Sequence, residues 1–190
     1  MRTLPERCEA LTGEVRTGRL LLRPFTREDS DDLHILYGDP RVMSIRRIGV
    51  QDLAGTVHEL AGLVEHWTQH GFGMWHTRCA SEGRFLGECG LRFREGSDNT
   101  EIEVSYGLVP EEWGCGLATE GARAAVRLGF ETMQLPRLVA ISRADNLASH
   151  AVLQKCGFSL IERDDSGAHP IVRFEMLASV YSGTRENPDV

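Results

Sequence analysis

Two glycines and a run of unpartnered main-chain amides are what it takes to grip a phosphate. This chain gathers both in Tyr106-Gly-Leu-Val-Pro-Glu-Glu-Trp-Gly-Cys-Gly-Leu-Ala-Thr119. The stretch reads as strand, turn, glycine loop and helix. Gly114 and Gly116 let the backbone approach a ligand closely, and the first N–H groups of the next helix have no partner inside it. With the positive end of the helix dipole they form an anion site suited to a phosphate or diphosphate. No lysine follows, so the Walker pattern is not met. Gly114-Cys-Gly-Leu-Ala-Thr119 imitates a dinucleotide fingerprint. A Rossmann domain, however, wants two successive βαβαβ halves, and here hairpins precede the loop while Ser142-Arg143 close the next strand without an acidic residue. Coenzyme A is the better match.

The elements that must position this loop are legible from periodicity and punctuation. Arg19-Leu-Leu-Leu-Arg-Pro24 reads as a strand stopped by its proline, and Thr26-Arg-Glu-Asp29 has the spacing of a capping box. Leu33, Leu36 and Tyr37 give the short helix that follows an apolar face. A longer helix is expected over Asp52–Gln69, with Leu53, Val57, Leu60, Val64 and Trp67 in one stripe and Gly71 as its stop. Strands follow at Gly73–Thr77, Arg84–Arg94 and Glu101–Leu108, the last two joined by the turn Gly96-Ser-Asp-Asn99. The helix after the glycine loop is expected near Thr119–Thr132. Ala118, Ala122, Ala125 and Gly129 would pack it close to a sheet, and Glu120 with Arg123 and Arg127 with Glu131 would form its solvated side. A strand at Leu138–Ser142, a helix at Asn146–Cys156 ended by Gly157, and strands at Phe158–Ile161 and Ile171–Met176 complete the order. That order is α+β (mixed α/β), with hairpins on both sides of one crossover.

Composition bounds the class. At 190 residues, 41 % hydrophobic and 26 % charged, the chain is one soluble domain with a real core. The expected layout is a polar lead-in over 1–17, a domain over 18–181 and a tail over 182–190. No apolar run reaches membrane-helix length and the start lacks a secretory signal, so a cytoplasmic location and no membrane partner are expected. The five cysteines (Cys8, Cys79, Cys89, Cys115, Cys156) are spread with no C-x-x-C, which argues for reduced thiols rather than disulfides or a metal site. A net charge of -7 disfavours nucleic acid as a partner.

Four motifs in order carry a resemblance. Glu103-Val-Ser-Tyr-Gly-Leu108, Trp113-Gly-Cys-Gly-Leu-Ala-Thr-Glu120, Asn146-Leu-Ala-Ser149 and Leu153-Gln-Lys-Cys-Gly-Phe158 resemble the successive motifs of the GCN5-related N-acetyltransferase (GNAT) superfamily. The opening Arg19-Leu-Leu-Leu-Arg-Pro-Phe-Thr-Arg-Glu-Asp29 is similar to the branch of ribosomal-protein N-terminal acetyltransferases. The resemblance covers about residues 18–176. It implies a twisted, mostly antiparallel sheet splayed in the middle, helices on both faces, and acetyl-coenzyme A in the gap as co-substrate. By the same resemblance the main chain of Trp113, Gly114, Cys115, Gly116, Leu117, Ala118 and Thr119 would hold the diphosphate. Tyr106, Gly107, Leu108 and Val109 would bind the pantetheine arm and polarise the thioester, with Asn146 and Ser149 beside the arm and the sulfur. Trp113 stands where Gln or Arg is common, and Leu153 where a thiolate-protonating Tyr is often found.

Acyl transfer to an amine needs a group that accepts a proton. Glu101, Glu103 and Ser105 share one face of their strand, and Ile102, Val104, Tyr106 and Leu108 the other. The resemblance points to Glu103 as the base, through water. If the hairpin turns about Ser97-Asp98, however, Arg92 sits opposite Glu103 and Arg94 opposite Glu101, pairs that need no catalytic role. Ser149 is either a donor to the sulfur or N3 of a helix capped by Asn146. His66, His70 and His76 face either the acceptor or solvent, and solvent is the expectation for each. Cys115 at a helix N-terminus suggests covalent transfer, but no His or Asp lies close in sequence and its slot should face the diphosphate. Arg41, Arg46 and Arg47 read as a solvated basic loop. The expected activity is therefore direct transfer of acetyl to a primary amine, on a protein N-terminus or a small molecule, without a metal. A non-catalytic acyl-coenzyme A-binding or regulatory module is the alternative, and a homodimer is an open expectation.

Overall fold

A computed structural model describes residues 13–46, 48–94, 96–97 and 100–184. Eight strands form one sheet: β1 (Val15–Arg16), β2 (Leu20–Pro24), β3 (Met74–Cys79), β4 (Phe85–Phe93), β5 (Ile102–Leu108), β6 (Arg137–Arg143), β7 (Ser159–Asp164) and β8 (Ile171–Leu177). Their spatial order is β1-β2-β3-β4-β5-β6-β8-β7. Every neighbouring pair is antiparallel except β5 and β6. The helices are α1 (Ser30–Tyr37), α2 (Pro40–Met43), α3 (Leu53–His70), α4 (Leu117–Arg127), α5 (Leu147–Lys155) and α6 (Ala178–Thr184). The α+β expectation holds. β1, α2 and α6 were not foreseen, and β1 lies within the stretch expected as a lead-in. Asp98 and Asn99 of the expected turn, Arg47 and residues 185–190 of the expected tail lie outside the described residues.

The sheet splays at its centre. β4 and β5 pair along their whole length, from Gly87↔Leu108 to Phe93↔Ile102. β5 and β6 pair at Glu103↔Val139 alone, so the strands separate beyond that point and leave the end of β5 open on one side. Apolar packing joins the two halves. Leu91, Val104, Ala122, Ala125, Leu138 and Phe174 belong to one buried cluster that includes α4 and α5 residues. Phe25, Leu33, Leu36, Met43, Leu60 and Met74 form a second under α1–α3. Each such fully buried aliphatic side chain contributes about 1.5–3 kcal/mol.

Two helices depart from their expected patterns. α3 is capped as expected by Asp52, which accepts from Gly55 N, and ends at Gly71 in the left-handed region. Its stripe, however, is buried only at Leu60 and Trp67. Leu53 and Val57 are half exposed, while Thr56, 2.9 Å from His34 of α1, is fully buried, so α1 covers a face rotated from the expected stripe at that end. α4 does not continue as one α-helix to Thr132. A π turn over Leu128–Thr132 follows it, with Gly129 buried against Leu138.

Candidate active site

The glycine loop has the geometry its composition demands. Gly114 and Gly116 stand at φ of 77° and 79°, the left-handed region that glycine enters without steric cost. Gly116 is the N-cap of α4 and no side chain caps the helix, so its first amides face outward. Leu117 anchors the first turn in the core, while Cys115 is exposed. Trp113 replaces a polar loop residue and uses its indole N–H on Leu108 O, at 2.8 Å. Arg19 braces the loop from the turn before β2, donating to Cys115 O at 2.8 Å and to Glu120 Oε2 at 2.7 Å. Glu120 also accepts from Thr17 Oγ1 and Arg19 N. Burial pushes its carboxyl up, but these donors outweigh that and hold it below the usual range. The expected partnership with Arg123 is therefore replaced by one with the β1–β2 turn, and Arg123 donates to Lys155 O instead.

The open end of β5 lies beside this loop. The carbonyls of Tyr106 and Leu108 are taken by the side chains of Arg46 and Trp113. Main-chain groups alternate sides along a strand, so Val104, Tyr106 and Leu108 turn their N–H and C=O groups away from β4, toward the splay. On the other sheet face the Tyr106 phenol lies 2.9 Å from Ser149 Oγ and 3.1 Å from Ser149 O. Burial pushes this phenol up. Asn146 Oδ1 accepts from Ser149 N at 3.1 Å, the expected cap, and the cap delivers the Ser149 hydroxyl to Tyr106. Leu153, where a phenol is common, is buried in the core. A phenol reaches the same helix from β5 instead.

The carboxylates sort by register. Glu103 is buried opposite Arg92, which donates to it at 3.0 Å. Glu101 receives Arg94 at 2.5 Å, Arg137 at 2.7 Å, and Arg173. Both cross-strand pairs follow the expected register. His76 overturns the expectation of solvent exposure: it is fully buried, with Nε2 2.9 Å from Asp32. Asp29, Asp32 and His76 bring ligand-type atoms within 4.8 Å of one another, but Arg23 and Arg78 already neutralise the two carboxylates.

Sequence reading missed Glu88, Tyr37 and the role of Arg46. Glu88 is 2 % exposed. It accepts from Arg46 Nη1 at 2.5 Å and from the Tyr37 hydroxyl at 3.2 Å. The arginine expected in a solvated loop is thus folded into the sheet. The signal available was a lone carboxylate inside the apolar run Phe85-Leu-Gly-Glu-Cys-Gly-Leu91. A small cavity of about 170 Å³ lined by Phe93, Ile102, Leu135 and Arg137 lies at the opposite end of β5 from the glycine loop.

Comparison with known proteins agrees with this geometry. Residues 19–159 match a family model described as an acetyltransferase (GNAT) domain. A relative from Aspergillus fumigatus, FsC-acetyl coenzyme A-N(2)-transacetylase, is 31 % identical over 78 % of this chain and 66 % of its own length. The crystal structure of a GNAT-family acetyltransferase from Bacillus anthracis superposes with a TM-score of 0.76 at 21 % identity, covering 88 % of this chain and 99 % of that one. RimL, a ribosomal L7/L12 α-N-protein acetyltransferase in complex with coenzyme A, gives a TM-score of 0.73 at 18 % identity, covering 87 % and 98 %. These two structural likenesses speak for the fold, and neither singles out the ribosomal branch. No helix among the described residues is long and apolar enough to cross a membrane.

Proposed function

Since this chain belongs to the GNAT acetyltransferase family and is an acetyl-coenzyme A-dependent acetyltransferase, we propose that it passes acetyl directly to a primary amine seated on the α1–α3 side of the splay. The observation that carries this reading is the uncapped start of α4 beside a strand edge that β6 has left open. Main-chain amides from Trp113 to Thr119 take the diphosphate of the coenzyme. The edge Tyr106–Val109 takes the pantetheine arm, and an N–H there polarises the thioester carbonyl, whose oxygen gains charge in the transition state. Asn146 holds Ser149 in place, and the Ser149 hydroxyl, bonded to the Tyr106 phenol, lies on the side where the thiolate needs a proton. Glu103 serves as the proton acceptor through water, held in place by Arg92. Cys115 lies on the diphosphate side, away from the thioester, so the transfer needs no acyl-enzyme.

The acceptor is an amine on a protein N-terminus or on a small molecule. The ribosomal-protein branch is one candidate, supported by the opening Arg19–Asp29. The test is thiol release from acetyl-coenzyme A across a panel of N-terminal peptides and small amines, with calorimetry of coenzyme A binding. Acceptor-dependent thiol release is expected. Tight coenzyme binding with no release from any amine would leave a binding module in its place.

A further inference from the structure

Arg46 occupies a place built for a cation. Its Nη1 meets Glu88 Oε1 at 2.5 Å and its Nη2 meets Tyr106 O at 3.2 Å. Its guanidinium carbon lies 5.7 Å from the centroid of the Tyr37 ring, whose hydroxyl donates to the same carboxylate. The fourth wall is a gap: a Cβ at Gly107 would fall 2.1 Å from Nη2, so only glycine there leaves room. A buried carboxylate, an aromatic face, a main-chain carbonyl and a vacant Cβ position together suit a desolvated ammonium as well as a guanidinium. The Tyr106 carbonyl belongs to the edge that faces the splay, so this seat adjoins the strand edge proposed to hold the thioester.

The segment that supplies Arg46 is weakly held by packing. Ile45, Ile48 and Val50 are 41 %, 42 % and 50 % exposed. They contribute little burial; Arg46 fastens the loop to the sheet, alongside a main-chain hydrogen bond from Gln51 N to Tyr37 O at 2.9 Å. A buried ion pair is weak evidence for stability, since desolvation offsets most of its attraction. Leu53 and Val57 of α3 are about half exposed as well.

We propose that Glu88, Tyr37 and the Tyr106 carbonyl are the acceptor's ammonium seat, held in the free enzyme by Arg46 and yielded to a primary alkylammonium. This rests on the β5 edge holding the thioester. Glu88 holds the bound ammonium while Glu103, through water, takes one of its protons. The neutral nitrogen then attacks the thioester carbonyl carbon, the new C–N bond forms and the C–S bond breaks. Its electron pair leaves on sulfur, and the second N–H proton ends on that thiolate, giving the amide and the free coenzyme thiol. The proton taken by Glu103 returns to water.

The variant Arg46→Lys places a primary amine in the seat on the protein's own chain. Incubated with acetyl-coenzyme A, it is expected to gain one acetyl group at residue 46, seen by peptide mass spectrometry, at least about tenfold faster than Lys155. Lys155 is the single lysine of the native sequence and reports background acetylation. In the native protein with coenzyme A bound, n-butylamine is expected to speed hydrogen exchange across residues 44–51, as Arg46 is displaced. Acetylation at residue 46 no faster than at Lys155, together with unchanged exchange, overturns the seat. If the native enzyme still acetylates amines, the seat alone is wrong. If no amine releases thiol, the activity beneath it has failed instead.

Discussion

Glu103 and Arg92 face each other across β4 and β5 at 3.0 Å, with the carboxylate buried and the guanidinium half exposed. That asymmetry makes the role of Glu103 testable. Removing its charge leaves Arg92 free to rehydrate, so a purely structural pair contributes about 0.2–1 kcal/mol. Loss of a proton acceptor instead costs about 10²-fold or more in rate. Glu103→Gln is expected to lower kcat about a hundredfold, with little change in the urea midpoint and in coenzyme affinity. A stability loss with kcat intact would make the pair structural. His76 is a residue whose role cannot be read locally. A lone histidine between tryptophan and threonine reads as solvent-facing or core alike, and α1 decides by bringing Asp32 to its Nε2.

At the scale of elements, the loop–α4 junction is legible in the sequence itself. Its signals are local: two glycines two residues apart, and a small-residue stripe that begins straight after them. Gly116 carries the left-handed φ of 79° and the N-cap of α4 together. Gly116→Ala is expected to strain that junction by about 1 kcal/mol and to weaken coenzyme A binding about tenfold, read by calorimetry. The far-UV circular dichroism spectrum should stay unchanged. Unaltered binding would detach the loop from the coenzyme. α3 shows where periodicity stops being informative. A stripe at Leu53, Val57, Leu60, Val64 and Trp67 says which residues share a side, but not how much of that side another helix covers.

At the scale of the molecule, one carboxylate ties the first helical segment to the sheet. Asp29 accepts two hydrogen bonds from the Arg23 fork on β2, at 2.7 and 2.6 Å, and one from Thr26 N at 2.7 Å. Burial pushes its carboxyl up, and these donors outweigh the burial and bring it down to about 2. A carboxyl held below its unfolded value of about 4 contributes stability that is complete above that pH. The contribution disappears as the pH falls through about 2. Asp29→Asn is therefore expected to be less stable than the native chain by about 1 kcal/mol near pH 7. That gap should close as the pH falls from about 4 to about 2, measured by urea midpoints. A gap independent of pH would mean that shape, not charge, makes the tie.

The sequence alone settled much of what depends on neighbours along the chain: most of the strands and the longer helices, the glycine loop, the cap at Asn146, and the register that sets Arg92 against Glu103 once the hairpin is placed. Only the tertiary structure decided which carboxylate lies at the splay and which cation meets it. Arg46 and Glu88 are 42 residues apart. Nothing local distinguishes that arginine from its neighbours until α1 and α2 fold over β4. Charges are long-range and many partners of each sign are present, so composition permits many pairings. Burial then selects among them, because a charge carried into the core must bring its partner with it.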